Sequence, residues 1–145
     1  MTAGTAAGTV LPELVIDVTP TFVVASAIAT RDFQDVHHDR DQAVAQGSQD
    51  IFLNILTTTG LVQRYVTDWA GPQALVRKIA IRLGAPCYAG DTLTFSGKVA
   101  ASAASGDGLS GADGEVVIEV IGRCSLGDHV TGTVRVAAPP AGRGA

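Results

Sequence analysis

Ile51-Phe52-Leu53-Asn54-Ile55-Leu56-Thr57-Thr58-Thr59-Gly60-Leu61-Val62-Gln63-Arg64-Tyr65-Val66-Thr67-Asp68-Trp69 is the stretch that decides how this chain folds. Ile51, Phe52, Ile55, Leu56, Val62, Tyr65, Val66 and Trp69 recur at helical spacing and reach around much of the circumference of a helix that Asp50 can cap. A helix so widely apolar belongs inside a fold. Thr57-Thr58-Thr59-Gly60 weakens it locally, Gly alone by about 1 kcal/mol relative to Ala. Packing must compensate, and Gly60 is expected to mark the close approach of another backbone.

Downstream of Gly71-Pro72 the period changes from helical to alternating. Ile79, Ile81 and Leu83 oppose Lys78, Ala80 and Arg82; Leu93, Phe95, Gly97 and Val99 oppose Thr92, Thr94, Ser96 and Lys98. Val116, Ile118, Val120 and Cys124 oppose Glu115, Glu119 and Arg123, and Val130, Val134 and Val136 oppose His129, Thr131, Thr133 and Arg135. Period-2 patterning over four segments predicts an antiparallel sheet with one buried face. Ser105 to Gly114 reads as a polar loop between two of these strands. Upstream, Leu14-Val15-Ile16 is a short strand and Thr19-Pro20-Thr21 starts a helix over Phe22 to about Arg31. Asp41 to Gln46 is one helical turn, closed by Gly47.

One apolar helix and one long antiparallel sheet predict an α+β domain in which the sheet curls around the helix, the hot-dog arrangement. A helix lying flat on one sheet face also satisfies the pattern. The domain is expected over residues 10–137, with flexible segments at 1–9 and 138–145.

A chain of 145 residues buries roughly 70% of its unfolded surface as one domain. Its 46% apolar and 17% charged residues are too apolar for disorder, and a net charge of -4 lacks the basic face that nucleic acid requires. No apolar run reaches the roughly 18 residues of a membrane span, and no signal-peptide pattern opens the chain. Cys87 and Cys124 have no metal-ligand spacing and are expected to be reduced, in a cytoplasmic protein that binds no metal.

Chemistry concentrates in Ala29-Thr30-Arg31-Asp32-Phe33-Gln34-Asp35-Val36-His37-His38-Asp39. Asp32 and His37 are a carboxylate and an imidazole, the pair that moves protons at neutral pH. Five positions along a continuous helix span about 500°, so the chain must turn between them if both are to meet one substrate. Asp32 as a plain helix terminator and His37 as a satisfied loop histidine are the alternatives.

The run from Asp32 to Asp39, with Ala43, Leu53-Asn54-Ile55-Leu56 and Arg82-Leu83-Gly84-Ala85-Pro86-Cys87-Tyr88-Ala89-Gly90-Asp91-Thr92, resembles the MaoC-like hot-dog hydratases, (R)-specific 2-enoyl-CoA hydratases with an Asp-x4-His-x-Asp motif. The likeness runs over roughly residues 10 to 136. It is greatest to the steroid-degrading branch, whose members are small catalytic subunits of heteromeric enzymes of cholesterol side-chain degradation. Where many of these hydratases carry Asn-Pro inside the motif this chain has Gln34-Asp35. Where they carry His-Gly at the central helix it has Asn54-Ile55.

The resemblance implies addition of water across the C2–C3 double bond of a trans-2-enoyl-CoA. Asp32 and His37 would be catalytic: Asp32, with His37 helping to position the water, would support loss of its proton, and His37 would be the better proton donor to C2, the division between them staying open. The Ile55 N–H would face the thioester oxygen, with Asn54 beside it. Asp39 would orient the loop or cap the short helix, and His38 would face elsewhere. No cofactor is implied, coenzyme A being part of the substrate, and the expected partner is a second MaoC-like hot-dog subunit. A hot-dog acyl-CoA thioesterase and a non-catalytic scaffold subunit remain as alternatives.

Overall fold

The computed structural model describes residues 5–102 and 115–137. The loop expected over 105–114, the C-terminal tail and residues 1–4 lie outside the described residues. The elements in order are β1 (Val10–Val18), α1 (Pro20–Ala29), a 3-10 turn (Asp35–His37), α2 (Arg40–Ala45), α3 (Ile55–Ala70), β2 (Leu75–Leu83), β3 (Asp91–Ser102), β4 (Glu115–Cys124) and β5 (Gly127–Ala137). All five strands form one antiparallel sheet in the order β1-β3-β4-β5-β2. The alternation read over the four later segments is the alternation of this sheet. The short strand at Leu14 proves longer and closes the far edge, extended by backbone bonds between Gly8, Thr9 and Val99. The fold is the hot-dog fold, α+β.

Helix α3 packs on the sheet through Thr57, Thr58, Leu61, Val62, Tyr65 and Val66. Leu93, Phe95, Val99, Ile118, Val120, Val130 and Val134 complete the core around it. Each fully buried aliphatic or aromatic side chain here stabilises the fold by about 1.5–3 kcal/mol. Tyr65 stacks on Phe95 with ring centroids 5.8 Å apart. Gly97 makes that approach possible, because a Cβ there would lie 2.7 Å from the Glu119 carbonyl oxygen and 3.1 Å from the Tyr65 ring.

Four expectations are corrected. The long helix begins at Ile55, not Ile51, and its cap is Asn54, whose Oδ1 accepts from the Thr57 N–H at 2.9 Å. Residues 51–53 are instead extended and pair with the segment ahead of β3. The Leu53 N–H donates to the Cys87 carbonyl, the Ala89 N–H donates to the Ile51 carbonyl, and Phe52 bridges Tyr88. Their apolar side chains fit a buried strand as well as a helix, and Asp50 holds Arg40 and the Ile51 N–H. Secondly, α3 is buried on one face only: Gln63, Arg64 and Asp68 are exposed, as are Ile55 and Leu56 at its start. Thirdly, among the described residues no atom outside the helix's own nearby backbone lies within 4 Å of where a Gly60 Cβ would stand. Lastly, His129 is buried, because a bulge in the β4–β5 pairing breaks the alternation there and its ring lies between Thr58 of α3 and the Ala85 carbonyl.

Candidate active site

Helix α1 determines where Asp32 goes. Thr19 caps it, Pro20 opens it, and Val23 and Ala27 anchor it to the core. Its end reverses through a Schellman turn. The Asp32 N–H donates to the Ala27 carbonyl at 2.9 Å and the Arg31 N–H to the Ile28 carbonyl at 3.0 Å. Arg31 occupies the left-handed position, φ 58°, that this turn demands. A side chain there costs roughly 1–2 kcal/mol, so strain is stored one residue before the carboxylate.

The chain then runs through the Asp35–His37 turn and brings His37 back. His37 is buried, and its Nε2 lies 3.5 Å from Asp32 Oδ2. Its other nitrogen, Nδ1, is 2.8 Å from the Phe52 carbonyl oxygen. A carbonyl only accepts, so Nδ1 carries a hydrogen, and Nε2 is the nitrogen that faces Asp32. The Phe52 ring meets the imidazole edge-on at 4.9 Å. The extended 51–53 segment thus sets both tautomer and ring orientation.

Asn54 joins this loop to α3. While its Oδ1 caps the helix, its Nδ2 donates to Asp32 Oδ2 at 3.0 Å and to Thr30 Oγ1 at 2.9 Å. The Asn54 amide is the main influence holding the Asp32 carboxyl below its ordinary value. It outweighs partial burial, which pushes the other way, and the Gln34 N–H and His37 add smaller lowering effects. Asp32 is therefore ionised at neutral pH. The ionised Asp32 carboxylate and His37 Nε2 thus stand 3.5 Å apart, close enough to act on one small molecule.

Ile55 is the first residue of α3. Among the described residues, neither its N–H nor that of Leu56 finds a protein acceptor, as helix starts dictate. These amides carry the positive end of the helix dipole beside Asn54. Phe33, Ile55 and Leu56, next in sequence to the site residues, are exposed apolar side chains.

The sequence of this chain matches the family described as MaoC-like domain over residues 2–121. The chain belongs to the MaoC-like domain family. It is 62% identical over 132 residues to the 3-oxo-4,17-pregnadiene-20-carboxyl-CoA hydratase beta subunit of Mycobacterium tuberculosis, covering 91% of this chain and 95% of that one. Its fold superposes on a chain of the crystal structure of the ChsH1-ChsH2 complex from the same organism with a TM-score of 0.85 and 60% identity, covering 94% of this chain and all of the other. An (R)-hydratase from A. caviae involved in PHA biosynthesis shares the fold at 18% identity, with a TM-score of 0.79 and coverage of 92% and 97%.

Of the residues singled out in the sequence of this MaoC-like chain, Asp32, His37 and Asn54 meet at one place, and Ile55 follows Asn54 as the first residue of α3. Asp39 does not join them: its carboxylate accepts from the Gln42 N–H at 3.0 Å and caps α2. His38 turns toward Asp35, 3.8 Å away. Sequence reasoning missed the Phe52 carbonyl and Thr30. A backbone oxygen leaves no mark in a sequence, and Thr30 reads as an ordinary helix-terminal hydroxyl.

Proposed function

We propose that this chain is the subunit of an enoyl-CoA hydratase that supplies the acid-base pair, Asp32 and His37, for adding water to the C2–C3 double bond of a trans-2-enoyl-CoA. The observation that carries this reading is the approach of His37 Nε2 to the ionised Asp32 carboxylate, 3.5 Å, with His37 Nδ1 held by the Phe52 carbonyl. A water held by both has its oxygen free to attack C3. One of its protons passes to His37 Nε2 as the C–O bond forms, while the π electrons shift through C2 onto the thioester oxygen. The Ile55 N–H receives that developing negative charge. His37 then returns the proton to C2, so the elements of water are added whole and both groups recover their starting states. Asp32 orients the water and stabilises the imidazolium. No cofactor takes part, and coenzyme A belongs to the substrate.

The likeness to a hydratase of a steroid side-chain CoA ester favours a steroidal enoyl-CoA as the acyl group. The likeness to the ChsH1-ChsH2 complex favours a second, different hot-dog subunit as partner. The fold supports such pairing, since β2 is a nine-residue edge strand with exposed Leu75 and Leu83. A partner also gives the apolar collar of Phe33, Ile55 and Leu56 something to meet. Among the described residues no helix is long and apolar enough to cross a membrane; a cytoplasmic enzyme fits the CoA substrate.

The test is incubation with steroidal and short fatty enoyl-CoA thioesters, with and without the co-purified partner. The proposal expects enoyl absorbance to fall with no free thiol released. Thiol release in step with substrate loss would make the chain a thioesterase.

A further inference from the structure

Two metal-ligating side chains four residues apart, Cys87 and Asp91, meet a third from far along the chain, Cys124, at one end of the sheet. Cys87 sits in the segment between β2 and β3, Asp91 opens β3 and Cys124 closes β4; their sulfurs and a carboxylate oxygen all lie within 4.8 Å of one another. The geometry points to a binding site for a soft divalent cation of the zinc class, held by Cys87 Sγ, Cys124 Sγ and Asp91, with a fourth position open to water. Two thiolates select such an ion over magnesium or calcium. Tetrahedral zinc–sulfur bonds of about 2.3 Å put two sulfurs about 3.8 Å apart. Side-chain adjustment of less than about 1 Å closes the cluster onto an ion of that size.

The surroundings are built for it. Asp91 is held in place by the Ser125 hydroxyl at 2.6 Å, the Ser125 N–H and the Thr92 N–H, an outer layer of donors like those that orient ligating carboxylates. Cys87 is fully buried, whereas Cys124 and Asp91 are half-buried and give a cation access from one side. Each bound cation forms two metal–sulfur bonds and releases two protons to solvent, so affinity rises with pH. The ion would tie the 87–91 segment to the turn between β4 and β5. That segment pairs through Tyr88 and the Cys87 carbonyl with residues 51–53, whose Phe52 carbonyl orients His37. The site stands apart from the hydratase reading and has its own readout.

The experiment titrates the reduced, metal-stripped full-length chain, with its partner where the two co-purify, using cadmium as an optical probe. The expected result is an ultraviolet thiolate-to-cadmium band that saturates at one ion per chain, with two protons released. The band is lost in Cys87→Ser and Cys124→Ser and weakened in Asp91→Asn. Cys124 is half-buried, so Cys124→Ser carries the test, with circular dichroism verifying its fold. Zinc should raise the Tm of the wild type and leave that of Cys124→Ser unchanged. A wild-type chain that shows no saturable band, or a band that survives Cys124→Ser, overturns the inference.

Discussion

Replacing Asn54 removes the one side chain that both caps α3 and holds Asp32, and the two effects can be separated. In Asn54→Ala the lost cap costs about 1 kcal/mol. A hydrogen bond to a charged group is worth about 1.5–3 kcal/mol, and water recovers part of that because Asp32 keeps 18% side-chain exposure. The total is about 2–3 kcal/mol, or a fall in Tm of roughly 6–12 °C for a chain of this length. Asp32 titrates below the ordinary carboxyl value of 3.8 in the fold. Its contribution is therefore fully present above that value and is lost as pH falls through the lower folded value. The Tm gap between wild type and Asn54→Ala should hold at neutral pH and narrow in acid. Asn54→Ser keeps a capping oxygen, so it should recover about 1 kcal/mol of stability without restoring activity. Asn54→Asp keeps the cap but sets a second carboxylate where an amide now donates to Asp32. That change raises the Asp32 carboxyl and should move the acid limb of the pH–rate profile upward. Thermal unfolding across pH, together with pH–rate profiles of enoyl-CoA loss, measures all of this. An Asn54→Ala variant that unfolds with the wild type, or an Asn54→Asp variant with an unchanged profile, would refute the reasoning.

The buried bond between Thr58 Oγ1 and His129 Nε2, 2.8 Å long, ties α3 to β5, while Nδ1 donates to the Ala85 carbonyl. Thr58→Val should destabilise the fold by about 1–3 kcal/mol, read by urea unfolding; an unchanged midpoint would remove the tie from the account. Gly132→Ala would drive a Cβ into the Ala80 carbonyl oxygen and to 2.8 Å from the Ile81 Cα. It should cost about 1–3 kcal/mol and loosen β2, which hydrogen exchange of the β2 amides would report. Arg31→Gly relieves the left-handed backbone strain and should stabilise by about 0.5–1 kcal/mol, seen as a rise in Tm. A fall there would mean that the Arg31 side chain contributes contacts that outweigh the strain.

Much of this fold was legible because alternation is a strong signal where one sheet face is buried, as in Val116, Ile118 and Val120. It fails at His129, the extra residue of a bulge between the Gly122–Val130 and Arg123–Asp128 pairs, where the side chain turns in to Thr58 of α3. The start of α3 was misplaced because Ile51-Phe52-Leu53 suits a buried strand and a buried helix equally, and both Asp50 and Asn54 are good caps. What decides between them is pairing with residues 87–89, a long-range contact that no local pattern encodes. In the candidate site, the need for a turn between Asp32 and His37 followed from helical geometry alone. The means of turning did not, since a Schellman turn with Arg in the glycine position carries no sequence mark. Nor could spacing reveal the approach of Cys87 to Cys124, which the packing of the segment between β2 and β3 against the end of β4 creates.

The account rests on one water shared by the Asp32 carboxylate and the His37 imidazole. The most direct test is the rate of enoyl-CoA hydration by the assembled enzyme carrying Asp32→Asn or His37→Ala in this chain. Each change should lower kcat by about 10²–10⁴-fold while the complex elutes and melts as the wild type does. Intact assemblies that hydrate at the wild-type rate after both changes would contradict it and place the chemistry elsewhere.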